Sequence, residues 1–363
     1  MYVYSFYADV LDRNDKVKFR LEEALYGNIT YNQGSVAHVG GTIHAETEPD
    51  KTLNINLQSD RMRVYFRDSQ PYTDVGTVDT LMGTFLIAAP DVKNTRGVVG
   101  WSDVGPRQIY DLVLLDKITI LHEFAFPYAY TVKKGVNTAE AVRTVIRAAT
   151  GESNSSIEFT PSSKVIKEDR VWDIGTTALQ IVNDLLASID YWAVRCSPGG
   201  KYIVEPYVLP KDRAVVHTFD ESNWRNHLHT DDWTRTREIS SVPNRFTVYS
   251  TGTEDEKGYT GVARNQDPDS PFSYQARGRW IDQVESVNEF ATQGDADKLA
   301  ARRLKDVSAP VSNVTITHAY RPMNLHDRVR FRWENENFTG TVYAMSINLG
   351  KPDLMTTTLR EIL

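Results

Sequence analysis

The chain has 363 residues, with 41 Lys and Arg against 48 Asp and Glu, a net charge of −7 and a single cysteine. At roughly 150 residues per domain this predicts about two to three domains, and the acidic balance argues against a general nucleic-acid binder, which needs an excess of Lys and Arg to neutralise phosphates. One thiol excludes an intrachain disulfide or a Cys-cluster zinc site, and no apolar run reaches the ~18 residues of a membrane span.

Residues 1–10 carry Asp9 and no basic start, so they read as a strand and not as a secretory leader. The 18 Tyr, 13 Phe and 7 Trp favour strands, and the scattered Gly and Pro punctuate them. Residues 1–128 read as strands throughout, at 1–10, 16–21, 38–45, 53–57, 61–67, 81–89 (ended by Pro90) and 111–125. The clearest is 61–67, where Met62, Val64 and Phe66 face one way and Arg61, Arg63, Tyr65 and Arg67 the other. A barrel or sandwich fits this spacing.

Residues 129–210 change character. Asn137 and Glu140 form a capping-box pattern before an apolar face of Ala141, Val142, Val145, Ile146 and Ala149, and Gly151 is the expected stop. A second helix follows Gly175, capped by Thr176 or Thr177 and spanning 176–189. Strands at 191–196 and 201–207 flank the turn residues Ser197-Pro-Gly-Gly200. Strand pattern returns over 211–252, most clearly at 245–250. Residues 253–290 read as polar and loop-like, and the Gly, Asp, Asn, Ser and Pro that dominate 252–273 suggest a long arm. A third helix is predicted at 295–306, with strands at 313–319, 327–334, 338–348 and 354–361. No short-period repeat stands out.

Chemical signatures are sparse. His227, His229 and Asp231 would share a face if their segment is a strand, which is the best zinc-like pattern, although a solvated edge explains it more simply. Asp267-Pro-Asp269-Ser-Pro271 reads as a rigid turn, since it lacks the glycine and distal glutamate of a calcium loop. Cys196 reads as a structural thiol beside a turn. No nucleophile elbow, phosphate loop or dinucleotide fingerprint is present, so no enzyme activity, metal or cofactor is expected. Two arginine stripes remain: Arg61, Arg63 and Arg67 on one strand, and Arg328, Arg330 and Arg332 on another. They read either as solvated faces or as contacts to a neighbouring subunit.

Four stretches together resemble the tail hub (baseplate hub or minor tail protein) family of long-tailed bacteriophages. They are Leu81–Pro90 with Gly100-Trp101 and Tyr110–Leu115; Gly175–Tyr207; Pro243–Val248 with Ala263–Ser273; and Leu299–Leu304 with Tyr320–Val329, where His326 stands in place of the usual glycine. The resemblance covers most of the chain. It implies a mainly β fold with an α/β insertion, having two β-barrel-like tube domains plus smaller inserted domains. The expected division is 1–128 for the first barrel, 129–210 for the α/β domain, 211–252 with 308–363 for the second barrel, and 253–307 for an arm with one helix.

It further implies a structural virion protein at the tail tip, assembled in the bacterial host cytoplasm as a homotrimer around a DNA channel. The implied partners are a distal tail protein, a tape-measure protein and a central fibre or tip protein. Some hubs carry a fused fibre or lysozyme-like domain; with neither before Leu363, a separate tip protein is expected to supply that function. A carbohydrate- or receptor-binding β module is the alternative reading, resting on the abundant Tyr and Trp. A cell-wall hydrolase ranks third.

Overall fold

The computed structural model describes all residues except 1–2, 22–25, 47–53, 71–75, 100–101, 223–228, 239, 241, 251–257, 287–292, 308–310, 351–353 and 362–363. The fold is mainly β. It divides into two compact units, the first built from 1–231, 316–337 and 341–358, the second from 232–315, 338–340 and 359–363.

The first unit opens with seven strands: β1 (Val3–Leu11), β2 (Val17–Leu21), β3 (Tyr26–Asn32), β4 (Val39–Glu46), β5 (Arg61–Gln70), β6 (Gly76–Val99) and β7 (Ser102–Asp116). Their spatial order is β3-β4-β7-β6-β5-β1-β2, every pair antiparallel. The expected alternation in β5 is present: Met62, Val64 and Phe66 are buried, and Arg63, Tyr65 and Arg67 are half-buried on the other face. Two expectations change here. Pro90 does not end a strand; it lies inside β6, opposite Leu112 and beside a register shift between Ile87 and Ala89. A bulge of this kind lets a residue without an N–H sit in a ladder. Asn54–Leu57 is not a strand either, because Asn56 and Asp60 fold the chain back through side-chain bonds to backbone N–H groups.

The α/β segment follows: α1 (Ile118–Glu123), β8 (Tyr130–Val132), α2 (Thr138–Thr150), β9 (Ile157–Phe159), β10 (Arg170–Trp172), α3 (Ala178–Ala187), β11 (Arg195–Cys196) and β12 (Tyr202–Val204). Helix α1 replaces the C-terminal part of the strand expected at 111–125. The Asp116 carboxylate accepts the Ile118 N–H, and Ile118 and Leu121 turn one face inward. Asn137 caps α2 by accepting the Glu140 N–H, Gly151 ends it in the left-handed region, and Thr177 caps α3.

The segment carries an internal repeat that the sequence hides. Phe126 and Ile166, Gly135 and Gly175, and Asn137 and Thr177 hold equivalent places. The two halves exchange backbone bonds reciprocally: Gly175 and Phe126 pair, as do Gly135 and Ile166. Both glycines take positive φ, at 85° and 87°, where a Cβ would be strained. Strands β8 and β10 pair antiparallel between the halves, and α2 and α3 bury Val142, Val145, Ile146, Ile181, Val182 and Leu185 in a shared core.

The remaining elements are β13 (Val215–Asp220), β14 (His229–Glu238), β15 (Arg245–Tyr249), β16 (Thr260–Arg264), α4 (Tyr274–Arg277), β17 (Asp282–Ser286), α5 (Gln293–Val307), β18 (Val311–His318), β19 (Arg328–Trp333), β20 (Glu336–Leu349) and β21 (Met355–Glu361). In the first unit, β20 extends the large sheet beside β3 over Ala344–Leu349, and β13 runs parallel to β19. Among the described residues the strand pairings trace an open path, with no closed barrel. In the second unit β15 lies between β16 and β17, antiparallel to one and parallel to the other. Helix α5 packs Ala296, Ala300 and Leu304 on Phe246 and Val248. Thus β16, α4 and β17 occupy parts of the stretch 253–290 expected as loop, because β15 supplies both strands with a partner. Gly261 on β16 admits α5 at this distance, since a Cβ there would meet the Ala296 carbonyl oxygen at 2.2 Å.

A buried ionic knot fastens the α/β segment to the seven strands. The Lys117 side chain is almost wholly buried, and its Nζ lies 2.6 Å from Glu152 Oε1. Arg61 reaches the same Glu152 oxygen at 3.1 Å and Asp15 at 2.8 Å. Asp15 is positioned from the β1–β2 turn with a positive φ of 62°. Removing one member of such a buried group leaves uncompensated charge, which costs about 3–5 kcal/mol. Glu152→Ala is therefore expected to lose about that much stability in urea unfolding. A loss below about 1 kcal/mol would show that the knot is not a structural tie.

Candidate functional site

The two arginine stripes fare differently once their neighbours are known. On β5, Arg61 is buried in the knot just described and presents nothing outward. Arg63 donates from Nε to Thr84 Oγ1 at 3.2 Å. Arg67 grips Asp79 with two bonds, at 2.8 and 3.1 Å, and its guanidinium lies 4.4 Å from the Tyr7 ring centroid. Arg20, bidentate on Asp9, stacks on the same ring at 4.1 Å. The β5 stripe is thus largely absorbed by its own chain.

On β19, Arg328 donates to the carbonyl oxygens of Lys211 and Arg213 at 2.8 and 2.9 Å. Arg332 pairs with Asp220 at 3.3 Å, across the parallel β13–β19 register. Arg330 is half-buried, lies opposite Thr218 and has no ion pair among the described residues. Of the six arginines, Arg63, Arg328 and Arg330 keep a charge that no described carboxylate neutralises, and Arg328 spends its Nη1 on two carbonyl oxygens. The partners of the others lie far off in sequence, which is why strand periodicity alone did not reveal them.

The zinc-like pattern does not assemble among the described residues. His227 lies outside them, and no group of three potential ligands is found there. His229 is buried, its Nδ1 bonded to its own neighbour's carbonyl, Thr230 O, at 2.8 Å. Its ring packs on Phe331 and Trp333. Asp267 takes the Asp269 N–H on its carboxylate and the Ser270 N–H on its carbonyl, forming a turn. Cys196 is half-buried, and its surroundings push the thiol well above its usual range, so it is a poor nucleophile.

What the sequence did not signal is a set of histidines around Phe219. His217 and His318 lie 4.5 and 4.6 Å from that ring. His318 is fully buried, with Nδ1 donating to Ala319 O and Nε2 accepting from Thr357 Oγ1, both at 2.7 Å. This arrangement uses both nitrogens of the neutral ring. His326 adopts a positive φ of 71°. Its ring packs 4.4 Å from Trp192, and its carbonyl accepts from Arg213. These contacts hold a non-glycine residue in a turn that strains it.

The sequence matches no family model and no curated protein. Solved structures match nearly its whole length. A tail protein from Neisseria meningitidis aligns with a TM-score of 0.62 at 12% identity, over 98% of this chain and 96% of that one. A prophage tail protein from Shewanella oneidensis gives 0.60 at 10% identity, over 98% of each chain. A prophage tail protein from Listeria monocytogenes gives 0.50 at 12% identity, over 98% and 94%. The chain therefore has the fold of these tail proteins. No helix among the described residues is long and apolar enough to cross a membrane.

The histidines set a pH dependence. Burial first, then nearby cations, lowers His217, His318 and His326 to about 4 from 6.5, and lowers His38 in the same direction. Such a group takes its proton more readily in the unfolded chain. Its contribution is complete above about pH 6.5 and is lost as the pH falls toward 4. Two carboxyls act oppositely: burial pushes Asp116 up to about 7 and raises Asp327, so they weaken folding as pH rises. Four histidines against two carboxyls give a net gain in stability from pH 4.5 to 6.5, measurable by urea unfolding across that range. His318→Gln should flatten the slope. A profile that is level or falls with rising pH would contradict this balance.

Proposed function

We propose that the chain is a structural, non-enzymatic component of a bacteriophage tail, acting as a tail-tip hub that self-associates as a homotrimer. The observation that carries this reading is the end-to-end likeness to tail proteins from Neisseria and Shewanella, which leaves almost none of either chain uncovered. The order of hub-like segments in the sequence supports the finer assignment to the tip. In this reading the trimer joins the tail tube to a distal fibre or tip protein. It contacts a distal tail protein and a tape-measure protein, and it lines the path of the DNA. Its net negative charge suits a channel along which DNA slides without sticking.

Closed three-fold symmetry makes each contact heterologous, so a surface on one subunit meets a different surface on the next. Arg330 and Arg63 are the arginines of the two stripes best suited to such a contact, because their charges lack a described carboxylate partner and, unlike that of Arg328, are not spent on backbone carbonyl oxygens. Rim ion pairs contribute about 0–1 kcal/mol each, and apolar contacts supply most of the association energy.

Mass photometry at physiological salt tests this. The wild-type chain of 41.2 kDa should form trimers, alone or with the neighbouring tail proteins. Arg330→Glu should weaken trimer formation by about fivefold or more, with unchanged unfolding of the monomer. A wild-type chain that stays monomeric even with those neighbours present would overturn the trimer. Undiminished assembly of Arg330→Glu would remove Arg330 from the interface.

A further inference from the structure

The first unit contains a cavity of about 300 Å³ between the large sheet and the β11–β12 hairpin. This is the lower end of the size range of small-ligand sites. Met82 and Phe85 on β6, Ile203 on β12 and Leu325 supply apolar walls. The ionisable side chains of Asp116, Arg195, Asp327, His38 and Tyr31 also line it, together with Cys196.

The polar groups are not equally free. Asp116 already accepts the N–H groups of Val39 and Ile118, at 3.1 and 3.0 Å. Asp327 accepts the Asn324 N–H at 2.7 Å. Burial pushes both carboxyls toward their neutral forms. Arg195 differs. Its Nη2 pairs with Glu205 at 2.6 Å, while its Nη1 is buried with no hydrogen-bond partner among the described residues. A guanidinium stays charged at any ordinary pH, and an unpartnered buried donor on it is costly. The neighbouring Arg213 spends its donors on the carbonyl oxygens of Val208 and His326 and meets no carboxylate through them. His38 and His326 are both pushed toward neutrality in part by Arg195, which marks a positive potential at this wall.

We infer that this cavity is a binding site for a carboxylate carried on a short apolar stem, with Arg195 Nη1 as the anchoring donor and Phe85, Met82, Ile203 and Leu325 as the bed for the stem. The carboxylate would complete the guanidinium fork that Glu205 half-fills, making a charge-assisted bond in a desolvated setting. The same chemistry can arrive as a free aliphatic acid or as an acidic side chain on an apolar segment of another protein. The two sources are separable by experiment.

The test uses the full chain with hexanoate, hexanol, hexylamine and a short capped Ile-Glu-Leu peptide, read by thermal unfolding at pH 7. Cys196 is the only thiol in the chain and lines the cavity, so its modification by an excess of a small neutral methanethiosulfonate, slow because burial raises the thiol, gives a local readout as a rate relative to the ligand-free chain. Hexanoate or the peptide should raise the unfolding midpoint saturably and slow modification of Cys196. Hexanol and hexylamine should do neither. Arg195→Met should weaken binding about tenfold or more. Leu325→Trp, which fills the cavity and keeps Arg195, should abolish binding while the chain still unfolds cooperatively. Tighter binding of the peptide assigns the site to a protein segment, and tighter binding of hexanoate to a free acid. The site is overturned if neither acid binds saturably, if hexanol binds equally well, or if Arg195→Met or Leu325→Trp binds as the wild type does.

Discussion

Lys117 stands where the large sheet hands over to the helical segment, and its ammonium is sealed from solvent against Glu152 at 2.6 Å. Arg61 from the middle of the sheet and Asp15 from the β1–β2 turn complete the group. Two cations and two anions are thereby held together with little water. Coulomb attraction in such a place offsets desolvation only when every charge keeps its partner. The consequence is geometric. The end of β7, the end of α2, strand β5 and the β1–β2 turn must meet at one point, or charge is stranded. Tyr202 adds a bond from its hydroxyl to Lys117 O at 3.0 Å. Gly200 keeps the hairpin close: a Cβ there would press on Thr84 and Lys117 at 3.1–3.2 Å. The positions of α1, the β11–β12 hairpin and the cavity beside it all follow from this tie.

Much of the architecture was legible because local rules and tertiary packing agree. The α2 boundaries could be read from Asn137, Glu140 and Gly151, because capping is a contact between near neighbours. The alternation in β5 was visible because one face is fully buried. The failures share a physical cause, which is that distant partners overrode the local signal. Pro90 looks like a stop until a bulge accommodates it. Residues 260–264 look like a loop until β15 supplies a partner strand. The repeat in the α/β segment is carried by glycine conformation and exchanged backbone bonds, and its side chains have diverged. Arg61 looks like a surface residue beside Arg63 and Arg67. Only the approach of Asp15 and Glu152 makes it internal.

The candidate site was legible in outline and not in detail. The stripes drew attention to β5 and β19, but the chain's own carboxylates answer half of their charge, at Arg61, Arg67 and Arg332. The histidines around Phe219 gave no signal, since His217, His229 and His318 lie on three different strands. The lowered proton affinity of His217 and His318 suits a fold that holds near neutral pH and loosens in acid. In the proposed trimer, a charge left over after folding, such as that of Arg330, would direct which surfaces meet.

The central claim is placement at the tail tip as a closed oligomer. Electron microscopy of particles whose copy of this chain carries a compact density label at its C-terminus tests that placement most directly. The account predicts three labels in a three-fold arrangement at the distal end of each tail. Labels spread along the tube, labels at the head-proximal end, or particles that lack the chain would contradict it.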